Sequence, residues 1–392
     1  MQFTELHSPR RHGAPASRDT AEQLAAICRF MAEDTFAQAL HAVIPMEAPM
    51  PRASTAPDTI CSADLHQHFI ETELDNRMQW ARSLAGDTRS IVLRHLERAA
   101  ELGPMRRVAR PPSHEAIDAL ERDFPHCVAV TDLLRRRIAL GHCCPSPALQ
   151  LPPLLISGAP GTGKSAFAKR LAAALAVPCS EIDMASVRAA FTLGGLDVGY
   201  TTGRPGAVWD AMQTSCMSPV IILDELDKSS HGDSADDPAG ALYSLLEPLT
   251  ACRYIDAALG LAVDASWVFW LATCNDPGRI NPAILSRFRL VAIDTPTTDQ
   301  MPAVVASIHS SLLSRSPWAA HFDQTLTADV VRELSSLAPR QVSQTLEDAY
   351  SNAANAGRRC LLRADIQAVK QPGSRGRSIG FLSTSTNHGG SQ

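Results

Sequence analysis

The stretch Ser157-Gly158-Ala159-Pro160-Gly161-Thr162-Gly163-Lys164-Ser165 leaves this chain few folds to choose from. It fits the spacing G-x-x-x-x-G-K-[ST] of a phosphate-binding loop. The apolar run Leu154-Leu155-Ile156 ahead of it predicts a buried strand, and Ala166 to Ala176 behind it predicts a helix. That order gives the pattern a mechanism. Glycines let the backbone close around phosphates with successive N–H groups aimed at their oxygens. The N-terminus of the following helix adds partial positive charge. Lys164 is expected to reach the β- and γ-phosphates of a triphosphate and Ser165 to ligate Mg²⁺. Gly158, Ala159, Pro160, Gly161, Thr162, Gly163 and Ala166 complete the cradle.

A second motif follows about sixty residues later. In Pro219-Val220-Ile221-Ile222-Leu223-Asp224-Glu225 an apolar strand delivers two carboxylates at its end. Asp224 suits a hydrated Mg²⁺, and Glu225 suits the polarisation of an attacking water. A third position is Asn275, which closes the run Trp267–Cys274. An amide there would sit beside the γ-phosphate and orient water, although by itself an Asn followed by Asp276-Pro277-Gly278 is more often a turn-starter. Arg287 lies in Ile280-Asn281-Pro282-Ala283-Ile284-Leu285-Ser286-Arg287-Phe288. A cation there stabilises transition-state charge, or else it is a salt-bridged helix-end arginine.

Strands are predicted at 154–158, 179–183, 219–224, 267–274 and 289–294, with helices between them. Several are almost continuously apolar, as in a parallel sheet covered on both faces. The expected fold is a doubly wound α/β domain with ligand at the carboxyl ends of the strands.

Composition narrows the function. A net charge of −5 argues against a globally basic nucleic-acid surface. No apolar run approaches the roughly 18 residues of a membrane span, and the N-terminus lacks the apolar stretch of a secretory signal. The 10 cysteines include no C-x-x-C pair, so buried free thiols in a reducing cytoplasm are expected rather than disulfides or a metal site. Residues 1–20 are expected to be disordered, 21–43 and 63–102 helical, and 45–58 a Pro-rich linker. Arg106 to Pro112 reads as a basic, solvated connector, and 114–140 as two short helices.

In this order, the phosphate loop, the Asp-Glu strand, Asn275 and Asn-Pro-Ala-Ile-Leu-Ser-Arg-Phe resemble the AAA+ ATPases, and within them the ATPase module of Lon proteases. Further echoes are Ile222-Leu223-Asp224-Glu225-Leu226-Asp227-Lys228, Asp237 to Pro238 with Ala241-Leu242-Tyr243-Ser244-Leu245-Leu246-Glu247, and Pro339-Arg340-Gln341-Val342. The resemblance covers roughly residues 115–370. It implies a P-loop NTPase with a five-stranded parallel sheet, helices on both faces, a C-terminal helical lid and a helical N-terminal region. The implied division is 1–113, N-terminal region; 114–296, ATPase domain; 297–371, lid; 372–392, disordered tail.

The resemblance also implies roles. Asn275 is a first sensor, Arg287 a finger reaching a neighbour's nucleotide, and Arg340 a second sensor on the lid. Asp123–Val128 matches the segment that cups the adenine. A finger acting in trans implies a ring of the same chain, six subunits being usual for the superfamily. Tyr200, followed by Pro205-Gly206, matches the place of an aromatic pore loop. Thr201-Thr202 depart from the aliphatic–Gly pair found there, and packing on its own domain is the alternative. Within the lid, Met301, Val304, Val305, Ile308 and Leu312 form one apolar stripe, and Val330, Val331, Leu334 and Leu337 a second. Residues 315–323, with Trp318 and Phe322, break the Lon-like pattern and are expected to be a surface insertion.

The chain stops soon after the lid, with no room for a peptidase domain, so a protease by itself is not expected. The expectation is an ATP- and Mg²⁺-dependent ATPase ring that remodels or unfolds a protein client, selected through residues 1–113. The alternatives are a nucleic-acid motor or loader and a nucleotide-gated scaffold.

Overall fold

Successive side chains of the central strands point to opposite faces of one sheet, and both faces are covered. The computed structural model describes residues 65–143, 147–200, 203–229 and 239–370. The sheet consists of β3 (Leu154–Ser157), β4 (Cys179–Asp183), β5 (Val220–Asp224), β8 (Phe269–Cys274) and β9 (Arg289–Ala292), in the order β4-β5-β8-β3-β9. Every pairing is parallel. Leu155, Ile221, Leu223, Trp270 and Ala272 face one core, and Leu154, Ile156, Val220, Ile222, Phe269 and Leu271 face the other. Burial on both sides is why these strands read as unbroken apolar runs. The observed bounds match the five predicted strands to within two residues.

One face carries α3 (His114–Asp123), α4 (Val128–His142) and α5 (Lys164–Ala174). The other carries α1 (Glu71–Arg82) and α2 (Gly86–Leu102), which bury Leu74, Ala81, Val92, Leu96 and Ala99 alongside Trp209 and Trp270. Residues 65–102 are therefore not wholly helical. β1 (Leu65–Gln67) precedes α1 and pairs antiparallel with β2 (Met105–Arg107). Nor is Arg106 part of a solvated connector. It is 1% exposed, and its guanidinium donates to the Met212 carbonyl at 2.7 Å. Burial brings its pKa down to about 10. Residues 65–113 thus share their cores with the central sheet, and packing does not break at 113/114.

The lid comprises α6 (Met301–Arg315), α7 (Ala328–Leu334), α8 (Pro339–Asn355) and α9 (Arg363–Lys370) around its own core. Both predicted stripes pack there. Residues 315–323 are not a surface insertion. Phe322 is buried, and its ring lies 5.6 Å from Trp318 and 4.7 Å from Tyr350. Among the described cysteines only Cys127 and Cys274 are buried, fewer than expected. No described helix is long and apolar enough to cross a membrane. The expectations for 1–20, 21–43, 45–58, Thr201-Thr202, Asp237-Pro238 and 372–392 lie outside the described residues.

The turn between the antiparallel β6 (Tyr254–Ile255) and β7 (Ala262–Val263) is joined to Gly194 by the Ala257 N–H and to Gly206 by a carboxylate. Asp256 is fully buried; it accepts from the Gly206 N–H at 2.8 Å and the Ala258 N–H at 2.9 Å. Burial raises its pKa from 3.8 to about 6, against those backbone donors. Between these values the folded chain holds a proton that the unfolded chain has released. The group's contribution to stability is therefore full below about 4 and is lost as pH rises toward 6. Asp256→Asn is expected to flatten the pH dependence of the urea midpoint across this window. An unchanged slope contradicts the assignment.

Candidate functional site

The register sets the ends of three strands side by side. Ser157 pairs with Cys274, and Leu223 with Ala272, so the loops after β3, β5 and β8 open at one edge. Ligand sites in parallel α/β sheets form at such carboxyl ends. The phosphate loop turns through Gly161 at φ 80° and Gly163 at φ 92°, left-handed values that a side chain disfavours. It then enters α5 at Lys164.

Lys164 is 8% exposed, and its ammonium donates to three oxygens: Gly158 O at 2.9 Å, Ala159 O at 3.0 Å and Asn275 Oδ1 at 2.9 Å. Burial holds its pKa below the ordinary lysine value, against the pull of Cys274, Asp227, Asp224 and Glu225. Ser165 Oγ donates to Asp224 Oδ1 at 2.6 Å, and Thr273 Oγ1 donates to the same oxygen at 2.5 Å. Thr273 also accepts the Glu225 N–H at 3.1 Å. Glu225 itself sits at φ 56° and pairs with Lys228 at 2.5 Å.

These groups line a cleft of about 720 Å³ between the sheet edge and the lid. Its walls include Pro160 to Ala166, Asp224, Glu225, Asn275 and, from the lid, Ile308 and Arg340. Arg340 is exposed, with its Cβ 3.6 Å from where a Cβ on Gly161 would lie. Asp123, Phe124 and His126 form the far wall. His126 Nε2 donates to the Thr162 carbonyl at 2.9 Å, leaving Nδ1 buried without a partner. The lid is tied to this wall by Gln300 Nε2, which donates to Pro125 O at 3.0 Å.

The cleft thus collects Lys164, Ser165, Asp224, Glu225, Asn275 and Arg340. Gly158 and Ala159 sit at its back, as acceptors for Lys164. Arg287 and Tyr200 are not among its lining residues. Tyr200 is 64% exposed between Leu196 and Arg204, whose backbones exchange hydrogen bonds of 2.8 and 3.1 Å. Asn275 is not merely a turn-starter, since its amide oxygen holds Lys164. Sequence reasoning missed Thr273, Lys228 and Gln300, and it named the Asp123–Val128 segment without singling out His126. Thr273 alone carried a signal: a hydroxyl inside an apolar strand, near the end that lines the cleft.

The Ser165 hydroxyl, in the first turn of α5, and the Asp224 carboxylate, at the end of β5, offer hard oxygen donors side by side. That set fits Mg²⁺, which takes one or two carboxylates and completes its shell with water and phosphate.

Residues 154–294 match the family described as "ATPase family associated with various cellular activities (AAA)". Lon protease 2 of Thermus thermophilus is 29% identical over 232 residues, 59% of this chain and 27% of that protein. The Lon protease of Salinispora arenicola is 34% identical over 152 residues, 38% of this chain and 19% of that one. The chain therefore spans well under a third of the length of these relatives. A solved S. cerevisiae Hsp104:casein complex in its extended conformation shares the fold at a TM-score of 0.50. It covers 71% of this chain and 51% of that one at 16% identity.

The φ of 56° at Glu225 stores strain in a residue with a Cβ. Glu225→Asn, a residue that tolerates this region, is expected to raise the unfolding free energy by up to about 1 kcal/mol. The exposed pair with Lys228 offsets little of that. A loss of stability in chemical denaturation contradicts the strain.

Proposed function

We propose that residues 154–294, which match the AAA ATPase family and resemble the ATPase module of Lon proteases, bind and hydrolyse Mg·ATP within a ring of copies of this chain. The observation that carries the reading is the meeting of Lys164, Ser165, Asp224, Glu225 and Asn275 in one cleft under a lid bearing Arg340.

Lys164 exchanges its two loop carbonyls for β- and γ-phosphate oxygens, a stronger charge-assisted bond. Ser165 and Asp224 would hold Mg²⁺, which would supply charge neutralisation at the phosphates. Glu225 leaves Lys228 and polarises the attacking water, while Asn275 fixes that water's orientation. Arg340 reports the nucleotide to the lid. Arg287, outside its own cleft, completes a neighbour's.

The output in this reading is mechanical work on a protein. An exposed aromatic at the tip of a short hairpin, Tyr200, suits the gripping of an extended polypeptide. The hairpin's base is fixed by Asp256, so movement of the body carries the loop along. Relatives are Lon proteases, and a neighbour of the same fold was solved with casein; both favour a protein client over a nucleic acid. Residues 1–113 are the proposed place of client selection.

Glu225→Gln keeps size and polarity but removes the charge that polarises water. ATP turnover is expected to fall at least about a hundredfold while the nucleotide still binds. Equal turnover in the two proteins overturns the assignment. With ATP present, the variant is also expected to retain labelled casein longer than the wild type does.

A further inference from the structure

Arg287 follows a short helical turn, Pro282–Leu285, capped by Asn281 Oδ1, which accepts the Ala283 N–H at 2.9 Å. Its own N–H donates to Ile284 O at 3.0 Å, and its neighbours Ile284 and Phe288 are buried. The backbone is therefore anchored, while the side chain is half-exposed. One terminal nitrogen donates to the Ala283 carbonyl, and Nε is buried without a partner. Among the described residues no carboxylate forms an ion pair with this guanidinium. Instead Cζ lies 5.6 Å over the ring of Tyr243. Tyr243 comes from a separate helical turn, Leu242–Leu245, and packs its own body on the first core.

A carboxylate partner would occupy the planar fork of N–H donors with which arginine binds phosphate. A ring supports the cation from its face and leaves the fork's edge open. The support is also weak enough to release without a large barrier. A guanidinium held in place over a ring and, among the described residues, paired with no carboxylate is prepared for an anion from outside its chain.

We propose that Tyr243 is a positioning residue that shelves Arg287 for a phosphate group held by an adjoining copy of this chain. The inference rests on the reading of Arg287 as a finger acting in trans. Through Tyr243 the segment that follows Asp224 and Glu225 in one subunit sets the finger that serves its neighbour. Site geometry in one copy is thereby linked to turnover in the next.

The test is steady-state ATP hydrolysis by the full chain, with assembly followed by light scattering. Arg287→Ala is expected to lose at least about a hundredfold in kcat. Tyr243→Leu is expected to lose about two- to fivefold in kcat, the range a partly exposed cation–π contact supports, with the KM for ATP unchanged. Tyr243→Phe keeps the ring face and should stay within about twofold of the wild type. Tyr243→Leu in the Arg287→Ala background should add no further loss.

Undiminished turnover in Arg287→Ala refutes the finger itself. A collapsed Arg287→Ala beside a fully active Tyr243→Leu refutes only the shelf. A Tyr243→Phe protein as slow as Tyr243→Leu assigns the effect to the hydroxyl and overturns the proposal. So does a Tyr243→Leu protein that no longer assembles, which makes Tyr243 an interface residue.

Discussion

A buried ammonium with all three hydrogens bonded to neutral oxygens is the contact on which the rest of this structure turns. Lys164 joins the start of its own loop, through Gly158 and Ala159, to the end of β8, through Asn275. An ammonium has three donors and no acceptor, so no further partner can be added without losing one. The carbonyls and the amide hold a cation that carries no paired anion, in a place where burial already disfavours its charge. An incoming polyphosphate resolves both conditions together. In the proposed exchange the two loop carbonyls are released and the bond to Asn275 is kept, which would couple arrival of the nucleotide to the end of β8.

The parallel register makes that contact inevitable. Because β3 pairs with β8 from Leu154–Leu271 to Ser157–Cys274, the loop after β3 and the residue after β8 emerge level with each other. β5 pairs on the other side of β8, so Asp224 arrives next to Thr273 and Ser165. One threonine then serves two strands, donating to Asp224 and accepting from Glu225. The lid closes the cleft from α6 and α8, and Gln300 fastens it to the Pro125 wall.

Much of this was legible in the sequence. Strands covered on both faces must be apolar throughout, so five of them stood out by composition alone. Phosphate chemistry admits few residue types at fixed spacing, so Lys164, Ser165, Asp224 and Glu225 announced themselves. What sequence reasoning missed depends on approaches between distant segments. Arg106 looked like a solvated arginine in a basic run. It is buried because the Met212 carbonyl, 106 residues away, meets its guanidinium. Trp318 and Phe322 looked like an insertion because the ring that receives them, Tyr350, lies on another helix. Gln300 belongs to the same class: its partner, the Pro125 carbonyl, lies 175 residues away.

The account stands on Lys164 as the receptor of a nucleotide's phosphates, and equilibrium binding of a fluorescent ATP analogue with Mg²⁺ addresses this most directly. The full chain is expected to bind the analogue saturably, and Lys164→Ala to bind it at least about tenfold more weakly, a loss of about 1.4 kcal/mol. Equal affinity in the two proteins, or no binding by either while both remain folded, contradicts the account.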